Sequence, residues 1–101
     1  MPILAIFESD AIQKEVYEAL RRAVDWEKNP PAGVISHVAS FDEGGKLVVV
    51  DVWESQEQLE TFLRDRLAPE LQKRGLPIPA ARILSTHVVT AYPGVTPHIV
   101  Q

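Results

Sequence analysis

The chain contains no cysteine and no cluster of basic residues. Without thiols it can form neither disulfides nor a thiolate zinc site, and no cysteine nucleophile is available for catalysis, so its stability has to come from packing. Ten Lys and Arg against fourteen Asp and Glu leave a net charge of −4. Phosphate neutralisation needs a concentrated Lys/Arg surface, which excludes nucleic acid as a natural partner. Long hydrophobic runs are missing as well. The apolar start Pro2-Ile3-Leu4-Ala5-Ile6-Phe7 meets Glu8 after six residues and has no basic preamble. It is too short for a signal peptide or a membrane span, and the expected location is the cytoplasm.

Apolar side chains are what the chain does have: 46% of 101 residues. At this length roughly two thirds of the unfolded-state surface can be buried, which is enough for one core and one domain. The expectation is a single domain over residues 1–101, with 93–101 as a tail.

Residues 3–8 are short, apolar and bounded by Pro2 and Glu8-Ser9-Asp10, as suits a buried strand. Asp10 with Gln13 forms a capping box, after which Ile12, Val16, Ala19, Leu20, Ala23 and Val24 recur at helical spacing. Asn29-Pro30-Pro31-Ala32-Gly33 is a connector. Residues 34–41 and 46–53 are rich in β-branched and aromatic types, and Asp42-Glu43-Gly44-Gly45 between them supplies the positive φ of a hairpin. Ser55 with Gln58 caps a second helix carrying Leu59, Phe62, Leu63 and Leu67, which Pro69 must kink or restart. Gly75-Leu76-Pro77-Ile78-Pro79 ends that stretch, and residues 83–92 read as a last strand.

The order β-α-β-β-α-β with right-handed crossovers predicts an α+β, ferredoxin-like fold: a four-stranded antiparallel sheet with both helices on one face. The open face is too apolar to stay wet on a lone chain, which implies a homodimer packed sheet to sheet.

Alternation divides the third strand into Val48, Val50 and Val52 on one face and Leu47, Val49, Asp51 and Trp53 on the other. The all-valine face is the expected partner of the helices, so Asp51 and Trp53 are expected to point away from them. A three-residue loop Glu43-Gly44-Gly45 pairs Asp42 with Lys46 and therefore His37 with Asp51, whereas a two-residue Gly-Gly loop separates them. The first is preferred, because the second places His37 under the helices, where an imidazole is hard to satisfy. Ile35, His37 and Phe41 then join Asp51 and Trp53, and His87 on the last strand can face the same side. The expected small-molecule pocket lies on the open sheet face, between the sheet and a second copy.

The element order, the length and the strand-to-helix junction Asp51-Val52-Trp53-Glu54-Ser55 resemble the dimeric α/β-barrel superfamily, particularly its antibiotic-biosynthesis-monooxygenase-like branch. The likeness spans almost the whole chain, and the motif speaks for fold more than for chemistry. It implies a small-molecule-binding protein similar to cofactor-independent monooxygenases, oxidising an electron-rich aromatic or enolic substrate. The haem-degrading branch carries an Asn on strand one and a Trp and a His on helix two. Matched through Val52-Trp53-Glu54-Ser55, those helix positions fall on Phe62 and Gln72, and strand one has no Asn, so the resemblance does not extend to haem.

Cofactor-free oxygenation needs a base that deprotonates a phenol or enol and an apolar space where the anion meets oxygen. His37 is the expected base, and Asp51 would fix its tautomer. Trp53, His87, Phe41 and Ile35 are the expected substrate-lining residues. Each has a structural reading beside the functional one. His37 and Asp51 can simply satisfy each other, Trp53 can be a packing wedge, and His87 can be an interface residue, while His98 in the tail is solvated. Two distant His and one Asp lack metal-ligand spacing, and no metal or other cofactor is expected. Glu54 and Glu57 complement a helix dipole. The rival to an enzyme is a non-catalytic homodimer of structural or stress-response role, and a cavity too small for an aromatic ring would sink the enzyme reading.

Overall fold

The structure, a computed structural model, describes residues 1–92. Strands β1 (Ile3–Ser9), β2 (Val34–Phe41), β3 (Leu47–Trp53) and β4 (Ala81–Ser85) form one antiparallel sheet in the order β2-β3-β1-β4. Helices α1 (Lys14–Ala23), α2 (Gln56–Phe62) and α3 (Ala68–Lys73) cover one face. The predicted ferredoxin-like α+β architecture is the observed one, and among the described residues no helix is long and apolar enough to cross a membrane.

Local chemistry explains most boundaries. At the hairpin, Asp42 N–H donates to the Lys46 carbonyl at 2.9 Å and Gly45 N–H to the Asp42 carbonyl at 3.0 Å, with Gly45 at φ 87°. This is the three-residue loop, and it sets His37 opposite Asp51. Ser55 Oγ accepts from Gln58 N–H at 3.2 Å and starts α2. Helix α2 runs through a π-helical turn at Leu63–Leu67 into α3, whose first turn holds Pro69, so the chain restarts there without breaking. The predicted Asp10 capping box is replaced by a turn on Ser9. Its Oγ accepts from Ala11 and Ile12 N–H at 3.1 and 3.2 Å, and Gln13 caps α1 without a side-chain bond.

The last strand is shorter than residues 83–92, because its only partner runs out. Ser85 pairs with Ile3, and Thr86 then donates through N–H and Oγ1 to the Pro2 carbonyl. Nothing beyond that point of β1 is left to pair with, so β4 ends.

The larger correction concerns the faces of the sheet. Ile3, Ala5, Phe7, Leu47, Val49, Asp51 and Trp53 are buried under the helices, while Val48, Val50 and Val52 lie on the open face. The expectation was the reverse. Trp53 is fully buried, 5.6 Å from the Phe62 ring and 6.3 Å from that of Trp26. An indole of that bulk needs the thick helix layer to leave water, whereas a flat row of valines can be covered by another flat surface. A buried polar pair does not oppose this arrangement once its atoms have partners.

Candidate functional site

Because β3 turns Asp51 toward the helices, the site lies inside one chain, between its sheet and its own helices. His37 is midway along β2 and carries its ring into the same layer. Its Nδ1 is 2.7 Å from Asp51 Oδ1, and its Nε2 is 2.8 Å from the hydroxyl of Tyr17 on α1. Trp53 Nε1–H donates to Asp51 Oδ2 at 3.2 Å. The carboxylate can only accept, so His37 Nδ1 must carry the hydrogen that points at it. In the neutral imidazole Nε2 then accepts from Tyr17 O–H. The protons line up in one direction: Tyr17 to His37, His37 to Asp51, with Trp53 holding the far carboxylate oxygen. This is the arrangement of a nucleophile-base-orienter triad, with a phenol in the outer position.

Burial pushes the Tyr17 hydroxyl up to about 12; the Arg21 guanidinium opposes the rise, and the carboxylates of Glu18, Glu27 and Asp51 add to it. At pH 7 the free tyrosinate is therefore populated only at roughly 1 in 10⁵, so Tyr17 can hand a proton on only while receiving another. Arg21 follows one turn later on the same helix face. Its Nη1 donates to Glu27 at 2.6 Å and its Nη2 to Glu18 at 2.7 Å. These bonds, that to Glu18 foremost, hold it more firmly charged than a free guanidinium. Arg21 Nε is buried without a hydrogen-bond partner among the described residues.

Trp26 completes the wall, its ring centroid 4.2 Å from that of His37. It reaches this position because the chain turns sharply after α1, with Asp25 at φ 55°. Arg66 in the π-helical turn pins that loop by donating to the carbonyls of Val24 and Asn29. Tyr17, Arg21, Trp26, His37 and Asp51 line a cavity of about 90 Å³ whose other walls are apolar, including Leu20, Val49, Leu59 and Phe62. An apolar cavity of about 150 Å³ is known to accept benzene. The space here is smaller and is open at its mouth.

Of the six residues expected at the site, His37 and Asp51 meet and line the cavity. Trp53 does not reach it; it packs behind Asp51 and supports the carboxylate. Phe41 stands edge-on to Tyr17 at 6.1 Å, outside the cavity wall. Ile35 is the bulged residue between Val34 and Ser36 and is exposed. His87 lies past the end of β4 and is exposed, because β1 offers it no pairing. His98 falls outside the described residues. Sequence reasoning missed Tyr17, Arg21 and Trp26. For Tyr17 the signal existed, since it stands three and seven residues before Leu20 and Val24 and so shares their buried stripe.

No protein-family model matches the chain, and no curated protein does. Solved structures do. A candidate antibiotic biosynthesis monooxygenase from Chloroflexus aurantiacus superposes with TM-score 0.60 at 18% identity, over 91% of this chain and 97% of its own. One from Deinococcus radiodurans gives 0.60 at 13% identity, over 93% and 100%. A mutant of SnoaB, a cofactor-independent oxygenase from Streptomyces nogalater, gives 0.59 at 13% identity, over 87% and 93%. At such identities the likeness speaks for the fold alone: this chain has the ferredoxin-like α+β fold seen in those structures.

Proposed function

We propose that the protein oxidises a small enolic substrate with dioxygen and without a cofactor, in the cavity between its sheet and helices. The observation that carries this reading is the Tyr17-His37-Asp51 chain ending at an apolar cavity. The enol O–H is placed on the Tyr17 oxygen, and Tyr17 passes its own proton to His37 Nε2 in the same event. The imidazolium formed is held by Asp51, and no free charge is left on the phenol. The enolate gives its electrons to dioxygen, a C–O bond forms at the α-carbon, and His37 returns the proton to the new hydroperoxide through Tyr17. The O–O bond then breaks, the second α-hydrogen leaves with the outer oxygen as water, and the α-carbon becomes a carbonyl. In sum a ketone with an α-CH₂ and O₂ yield a diketone and water. The apolar walls keep bulk water away from the enolate.

The working unit in this reading is a homodimer in the cytoplasm. Leu4, Ile6, Val48, Val50 and Val52 share the open sheet face with Val38 and Leu84, which are 57% and 39% exposed. A contiguous apolar face of this kind is covered most simply by a second copy, sheet to sheet.

The test is oxygen uptake with a panel of small enolisable ketones, phenols and quinols. Uptake is expected with the enolisable ketones and is expected to fall by about 10²–10⁴ in His37→Ala. No uptake above the protein-free rate with any compound, or an unchanged rate in the variant, overturns the reading and leaves the non-catalytic dimer.

A further inference from the structure

The cavity wall is graded from one side of the sheet to the other. Its ionisable residues are Tyr17 and Arg21 on α1, His37 on β2 and Asp51 on β3. Sheet order fixes what lies opposite them. Phe7 on β1 is two strands away from His37, and Pro79, which leads into β4, is on the third. At about 4.8 Å per strand, the wall runs roughly 10 Å across the sheet from His37 to Phe7. Ile12 and Leu71 join Phe7 and Pro79 in the lining. Among the described residues, the lining contributed from β1 onward carries no polar side chain.

This gradient gives the occupant a head and a tail. The polar side chains at the head end are largely engaged with one another: Asp51 with His37 and Trp53, Arg21 with Glu18 and Glu27. One reacting oxygen, beside Tyr17, is all the proposed relay needs. A second polar group further along would give up its water and meet hydrocarbon, a loss of tenfold or more in affinity. A methylene in the same place gains about fourfold.

We infer that the substrate is a short aliphatic ketone with no second polar group. Its carbonyl oxygen lies beside the Tyr17 hydroxyl, and its alkyl chain runs across the sheet to Phe7 and Pro79. This rests on the proposed oxidation and deepens it by naming the substrate class, with Phe7 as the residue that sets chain length. The former carbonyl oxygen stays at Tyr17 throughout, and the carbon that dioxygen attacks is the first of the chain. Pentan-2-one and O₂ then give pentane-2,3-dione and water.

The experiment is a set of chemical-shift titrations of the full chain, followed at the Trp26 indole. The probes are the linear ketones from propanone to heptan-2-one. Two analogues of pentan-2-one accompany them: 4-hydroxybutan-2-one, with a hydroxyl in place of the terminal methyl, and 4-oxopentanoate, with a carboxylate there. Affinity is expected to rise about fourfold per methylene until the tail meets Phe7, and both analogues are expected to bind at least tenfold more weakly than pentan-2-one. Nuclear Overhauser contacts are expected from the terminal methyl to the Phe7 ring and from the acetyl methyl to the Tyr17 ring. Phe7→Leu, which enlarges the far end, is expected to carry the rise at least one carbon further.

Equal affinities along the series, an analogue that binds as tightly as pentan-2-one, a terminal methyl in contact with Tyr17, or a folded Phe7→Leu with the same length limit each overturn the inference. Should that variant fail to fold, the series and the Overhauser contacts on the unaltered chain decide. His37-dependent oxygen uptake without a chain-length preference sinks this inference alone. Ketones bound in this orientation without oxygen uptake sink the catalytic reading alone.

Discussion

Replacing Asp51 by Asn reverses the hydrogen-bond chain while leaving its shape in place. Asp51 accepts from His37 Nδ1–H through Oδ1 and from Trp53 Nε1–H through Oδ2, and is 4% exposed. Trp53 can only donate, so the amide oxygen of Asn must take the Trp53 side and its NH₂ must face His37. The imidazole then has to accept at Nδ1, move its hydrogen to Nε2 and donate to the Tyr17 oxygen. The amide, the imidazole and the indole each keep a partner, but the Tyr17 hydrogen loses its acceptor and two charge-assisted bonds become neutral ones. At about 1.5–3 kcal/mol for the former and 0.5–1.5 for the latter, the loss of stability is on the order of 1–3 kcal/mol.

Asp51→Leu instead strands two buried donors, and its cost is on the order of 2–6 kcal/mol. Activity should order the other way from stability's mild response: a wrong-tautomer substitution in a comparable triad costs about 10⁴ in rate. Urea unfolding measures the stabilities, and long-range ¹H–¹⁵N correlation of the His37 ring reads the tautomer. The reasoning is refuted if His37 keeps its hydrogen on Nδ1 in Asp51→Asn, or if that variant is destabilised as much as Asp51→Leu.

Three further expectations address the rest of the molecule. Because burial raises the Tyr17 hydroxyl from 10.0 to about 12, the folded chain holds that proton after the unfolded chain has lost it. Tyr17's contribution is thus intact below pH 10 and is lost as pH rises toward 12; an absorbance step near pH 12 should vanish in Tyr17→Phe, together with that share of the alkaline loss of stability. Gly33 sits at φ 91°, and a Cβ there would run into the Gln58 side chain, so Gly33→Ala should destabilise by about 1–3 kcal/mol in thermal or urea unfolding. Val50 pairs with Ile6 and Val38 at the middle of the open face. Val50→Glu should convert a dimer to a folded monomer by light scattering, and a persistent dimer would place the interface elsewhere.

The fold was legible because its signals are local and redundant: the Ser55 cap, the Gly45 turn and the strand alternation all agree with the final topology. The hairpin loop alone was enough to bring His37 to Asp51. The face they occupy was not legible from alternation, because valines suit either side of a sheet; the bulk of Trp53 decided it. Reading a buried imidazole as unsatisfiable hid the partner that satisfies it, Tyr17, twenty residues away on α1. Trp26 gave no signal at all, since its place depends on a left-handed Asp25 and on Arg66 reaching across from the π-helical turn.

The central claim is that protons leave the substrate through Tyr17 toward His37. It is tested most directly by oxygen uptake in Tyr17→Phe, which removes one hydroxyl and leaves the ring packed beside His37 and Phe41. The account requires the rate with a small enolisable ketone to fall by about 10²–10⁴, with the chain still folded by its indole shifts. A folded Tyr17→Phe variant that consumes oxygen at the rate of the unaltered protein contradicts it.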